Sequence, residues 1–107
     1  MRILFDQGTP LPLRAYLKGH IVDTVYERGW SQLTNGVLLV EAAKSFDLFI
    51  TTDQQLSYQQ NLATSKISVL VLMTTSWPRI KEHTAQVVRA IDQISTGEYR
   101  EIRFRDN

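Results

Sequence analysis

Two aspartates stand where chemistry is easiest to imagine. Asp6 follows the apolar run Arg2-Ile3-Leu4-Phe5, and Asp53 follows Leu48-Phe49-Ile50-Thr51 after one further threonine. Each run is short, rich in β-formers and bounded by polar residues, the pattern of a strand buried on both faces. If both strands are parallel, their acids meet in the crevice beyond the carboxyl ends of the sheet, where open α/β folds keep their ligands. Two carboxylates about 4 Å apart repel by roughly 4 kcal/mol at an effective dielectric of 20. Such a pair needs a divalent cation, a shared proton or a cationic neighbour. For hard oxygen donors the expected ion is Mg²⁺ or Mn²⁺, whose natural task is to activate water against a phosphodiester.

Other residues are weaker candidates for the same work. Glu41 and Asn35 fall on the helix expected between the two runs and are candidate further ligands, Glu41 as a catalytic acid and Asn35 as a contact to substrate. Glu41 also sits three residues before Lys44, which suits a solvated ion pair equally well. Tyr58, Gln59, Gln60 and Asn61 form a dense polar run close behind Asp53, from which Tyr58, Gln60 and Asn61 could stack on bases or bond to bases and phosphates; the plain alternative is a helix end. Thr75 and Ser76 end a later strand on the same side and could receive a phosphate, although an N-cap role explains them as well. Both aspartates have a plain reading too, as Asx-turn or N-cap residues. His20 and His83 lack a partner at ligand spacing and read as surface or packing residues.

The elements that must position these groups alternate along the chain. After Asp6, Gly8 allows a turn, Thr9 is read as an N-cap and Pro10 as the first helical residue of a short helix through Leu17, closed by Gly19. A strand is expected over His20 to Val25, a loop to Asn35, and a helix capped by Asn35 running to about Ser45. After the central strand and its polar follower, Lys66 to Leu72 reads as a buried strand. Trp77-Pro78 then opens one long helix with Ile80, Thr84, Val87, Val88, Ile91 and Ile94 on its inner stripe, stopped by Gly97. The tail Tyr99 to Arg105 alternates like an edge strand. The sum is a three-layer α/β/α domain with a mostly parallel sheet of four or five strands.

Composition sets limits. The 107 residues suit one domain, 1–107, with one core. Twelve basic against eleven acidic side chains give a net charge of +1, so the chain is no general polycation and any attraction to phosphate must be local. With no cysteine there is no disulfide, thiolate catalysis or cysteine-ligated metal. The sequence opens on a strand-like run, with no basic stretch followed by a long apolar segment, so neither a signal peptide nor a membrane span is expected and a cytoplasmic location fits.

Four segments carry a resemblance. RILFDQGTP, SQLTNGVLLVEAA, FDLFITTDQQLSYQQNL and VLVLMTTSWPRI together resemble the bacterial PIN-like domains of unknown function, related to Mut7-C ribonuclease domains and, more distantly, to VapC-type toxins. The resemblance spans nearly the whole chain and is most specific in its central segment. It implies a PIN-like fold and an acidic Mg²⁺ or Mn²⁺ site that cleaves RNA, with Asp6 as the first-strand acid and Asp53 as the acid of the T-x-D motif. Relatives commonly carry further acids where this chain has Gln7, Gln55 and the stretch Asn35-Gly36-Val37. The expectation is therefore a metal-dependent endoribonuclease of the toxin-antitoxin type with a reduced acidic site. The alternative is a catalytically silent module that binds RNA or a small helix-turn-helix antitoxin. A homodimer paired through the alternating tail is a further expectation.

Overall fold

The computed structural model describes residues 1–56 and 66–105. Five strands, β1 (Arg2–Phe5), β2 (Ile21–Thr24), β3 (Leu48–Thr51), β4 (Ser68–Leu72) and β5 (Tyr99–Ile102), form one sheet in the order β2-β1-β3-β4-β5. Every pairing is parallel. β1, β3 and β4 are apolar almost throughout because both of their faces are covered.

Side-chain alternation splits the core into two layers. Ile3, Phe5, Leu48, Ile50, Leu70 and Leu72 point to one face, where they meet Leu13 and Leu17 of the β1–β2 connection and Ile80, Val87 and Ile91 of the β4–β5 connection. Leu4, Phe49, Val69 and Val71 point to the other, under Leu38, Leu39, Ala42 and Phe46. The architecture is thus α/β/α in three layers. Both connections on the first face travel over it in opposite directions along the sheet, so one of the two crossovers departs from the usual hand.

Helices differ from expectation in local detail. The first connection is a 3₁₀ helix, Leu11–Tyr16, capped by Pro10 rather than Thr9, whose side chain is engaged elsewhere. Helix α1 covers Asn35–Ala43 with Thr34 at the N-cap, so Asn35 begins the first turn. The long helix expected after Trp77 is two helices, α2 (Trp77–Glu82) and α3 (Thr84–Gln93), broken at His83, whose ring packs 5.6 Å from Phe104. Trp77 pins α2 to the core, its ring 5.8 Å from that of Tyr16. No described helix is long and apolar enough to cross a membrane.

The β2 edge is closed by one ion pair. Ile21 N–H donates to Met1 O at 3.1 Å and Val25 N–H to Phe5 O at 2.8 Å, so Val22 and Thr24 turn their backbone groups outward. Arg14 Nη1 donates to Val22 O at 3.2 Å and to Glu27 Oε1 at 2.8 Å, and Glu27 Oε1 accepts Thr24 N–H at 2.9 Å. The strand's free edge is thereby occupied rather than left open to another chain. The Arg14 hydrogen bond, followed by the Thr24 N–H, holds the Glu27 carboxyl below its ordinary value of 4.5. A depressed folded-state pKa gives stability that is present above the unfolded pKa and is lost as pH falls through the folded one. We expect the Tm of the wild type to drop more than that of Glu27→Gln as pH is lowered from about 5 toward 3. Parallel Tm curves for the two proteins would show that the pair contributes nothing.

Candidate functional site

The sheet order reverses at β1 and β3. The chain leaving β1 passes to the face of the 3₁₀ helix, whereas the chain leaving β3 passes to the opposite face, where Leu56 is buried beside Phe49. Their divergence opens a crevice at the carboxyl ends of these two strands. Asp6 and Asp53 are the residues delivered there, both half-buried.

Asp6 is held by hydroxyls and one amide. Its Oδ1 accepts Thr9 N–H at 2.9 Å and Thr9 Oγ1 at 2.6 Å, and its Oδ2 accepts the hydroxyl of Thr51. The Thr9 hydroxyl also lies 2.9 Å from Ile50 O. Asp53 makes an Asx turn, its Oδ1 accepting Gln55 N–H at 2.9 Å, while its Oδ2 accepts Asn35 Nδ2 at 3.3 Å. Asp53 N–H in turn donates to Thr51 Oγ1 at 3.0 Å. One threonine hydroxyl therefore joins the two acidic segments, and the Asn35 amide ties the first turn of α1 to the second. Among the described residues neither aspartate has a cationic partner.

Two clefts flank Asp6, and Gln7 lines both. The smaller, about 140 Å³, lies on the α1 side and is walled by Val25, Trp30, Leu33, Asn35 and Leu38. The larger, about 520 Å³, lies on the 3₁₀ side against Thr9, Leu11, Thr24, Tyr26 and Glu27. Gly8 forms part of the smaller cleft and lies so close to β3 that a Cβ there would stand 2.5 Å from Thr52 Oγ1. Thr52 is 9% exposed, and its hydroxyl has no partner among the described residues.

The residues singled out by sequence separate into groups. Asn35 bonds to Asp53, and the Thr51 hydroxyl links the Asp53 backbone to Asp6, although Asp53 lines neither cleft. Glu41 pairs with Lys44 at 3.0 Å on the flank of α1 and lines neither cleft. Ser76 is the N-cap of α2, accepting Arg79 N–H at 3.4 Å, and Thr75 beside it is exposed; neither lines a cleft. Tyr58, Gln60 and Asn61 lie outside the described residues. Among the described residues no three carboxylate or imidazole groups gather as a metal cluster. Thr9, read from the sequence only as an N-cap, and Thr51 and Thr52, not singled out at all, are buried and in reach of Asp6 or Gly8; the signal available was their place beside Asp6 and Asp53 at the ends of apolar runs.

Compared with known proteins, the chain matches no family model, no curated protein and no solved structure. The site therefore has to be judged on its own geometry.

Thr51 is the junction to test. Thr51→Val keeps the shape but leaves Asp6 Oδ2 and Asp53 N–H, both in a part-buried setting, without this partner, which should cost about 1 kcal/mol in urea unfolding. Thr51→Ser should recover most of that. A valine variant as stable as wild type would mean that the two segments do not rely on this hydroxyl.

Proposed function

We propose that this protein is a metal-dependent ribonuclease of the PIN-like type, working at the Asp6–Asp53 crevice with a single Mg²⁺ or Mn²⁺. The observation that carries this reading is the arrival of two aspartates at the switch point, linked through the Thr51 hydroxyl, with no cationic partner for either among the described residues. The donor set fits the ion. A carboxylate offers about four acceptor positions; Asp6 uses three and Asp53 two in the contacts above. Two hard carboxylates with neutral oxygens around them match an ion that keeps several waters, and they do not match zinc.

In this reading Asp6 and Asp53 hold the ion, which when bound lowers the pKa of the attacking water and offsets charge on the phosphate. Thr51 and Thr9 fix the Asp6 carboxylate, and Asn35 fixes that of Asp53, so that neither has to be ordered when substrate arrives. Thr52 supplies a free hydroxyl beside Gly8 that can bond to a phosphate oxygen. Among the described residues no side chain in the crevice stands out as a general base. RNA is the substrate class, and the cytoplasm the natural setting.

A second reading rests on a specific observation. Both aspartates stabilise turns, and the amides of Gln7, Gln55 and Asn35 stand where an active site of this type would hold more acid. The same crevice could then serve a silent module that binds RNA or a small helix-turn-helix antitoxin.

The two readings separate in one set of measurements. For the enzyme, Mn²⁺ raises Tm and supports cleavage of a mixed-sequence single-stranded RNA, and Asp6→Asn and Asp53→Asn each lose both effects. Asn35→Ala should weaken metal affinity by about 10- to 100-fold, as loss of an outer-shell partner does. RNA binding without cleavage, unchanged in both aspartate variants, would overturn the enzymatic reading in favour of the silent module.

A further inference from the structure

The larger cleft has no task in the chemistry of the two aspartates. Its volume of about 520 Å³ is sufficient for a nucleoside. Leu11 and Tyr26 supply its apolar walls and are 50% and 79% exposed, so the fold itself does not cover them. The polar lining is anionic or neutral, and among the described residues no lysine, arginine or histidine takes part in it. Glu27 commits Oε1 to Arg14 and to Thr24 N–H, while its Oε2 has no partner among the described residues. A phosphate would face the two carboxylates of Asp6 and Glu27 with only neutral donors in the lining to offset them. A flat, uncharged ring that brings N–H donors would stack on Tyr26 and meet carboxylate and amide oxygens at its edge.

We propose that this cleft is a base subsite, taking guanine in preference to the other three bases. The inference rests on the RNA reading, because Asp6 and Gln7 form the wall shared with the smaller cleft, and a nucleotide whose base sits against Tyr26 brings its backbone across Asp6. Guanine presents two adjacent donors, N1–H and N2–H₂, to the acceptors of Glu27, Asp6 and Gln7. Uracil offers one N–H between two carbonyls, and those carbonyls would face the carboxylates. Adenine and cytosine each place a ring acceptor beside their single amino donor. The preference thus comes from a lining rich in acceptors and free of cations.

The test uses the four nucleosides as probes, titrated against the full chain in EDTA and followed by amide shifts of Thr24, Tyr26 and Glu27. Guanosine should bind most tightly and shift these signals first. Tyr26→Ala should weaken it about tenfold through lost stacking, and Tyr26→Phe should retain it. Glu27→Gln should reduce the preference for guanosine over uridine. Because Tyr26 is largely exposed, its replacement leaves the core intact. Asp53→Asn, which lies outside this cleft, should bind guanosine like wild type, so failure of the metal site and failure of the base subsite are read separately. Equal binding of all four nucleosides, shifts that map elsewhere, or a Tyr26→Ala variant that binds like wild type would each overturn the proposal.

Discussion

The hydroxyl of Thr51 gives a hydrogen bond to the Asp6 carboxylate and receives one from the Asp53 backbone. Both partners leave the sheet at adjacent strands and then diverge to opposite faces, so nothing in chain connectivity keeps them together. Part-buried hydrogen bonds do. Thr9 reinforces the arrangement, its N–H donating to Asp6 Oδ1 and its one hydroxyl proton in reach of both Asp6 Oδ1 and the Ile50 carbonyl of β3. The polar network under the crevice fixes where the two acidic segments leave the sheet.

The rest of the fold serves this junction at a distance. Parallel pairing sets Phe5 beside Ile50 and so brings the two strand ends level. The apolar layers on both faces make that register stiff, since a one-residue slip would send Leu4 and Phe49 to the face now occupied by Phe5 and Ile50. α1 contributes at its amino end, where Asn35 reaches Asp53. Beyond the crevice, the Arg14–Glu27 pair closes the β2 edge and at the same time shapes the wall of the larger cleft, so one ion pair serves both architecture and surface.

Much of this was legible in the residues. Apolar runs with β-branched and aromatic residues revealed β1, β3 and β4, because strands buried on both faces need little besides hydrophobicity. The placing of Asp6 and Asp53 followed from where those runs stop. Local terminations were less legible. The helix after Trp77 breaks at His83, where the backbone leaves helical values (φ −124°, ψ 25°) and the ring packs against Phe104, a contact 21 positions away that no helical periodicity encodes. Pro10, not Thr9, caps the 3₁₀ helix because the Thr9 hydroxyl is committed to Asp6 and Ile50. Glu41 illustrates the converse: its spacing from Lys44 suggested a surface pair, and the pair is present. Tertiary hydrogen bonds of threonine were beyond reach, since a hydroxyl in a strand reads as β-propensity until its neighbour is known.

A direct measurement is the broadening of backbone amide signals by substoichiometric Mn²⁺. If Asp6 and Asp53 share one ion, the amides of Asp6, Gln7, Asp53 and Asn35 should fade first and together, and Asp53→Asn should abolish the effect at the same Mn²⁺ concentration. Broadening spread over surface carboxylates such as Asp92 and Glu101, or left unchanged by loss of either aspartate, would contradict a shared ion in the crevice.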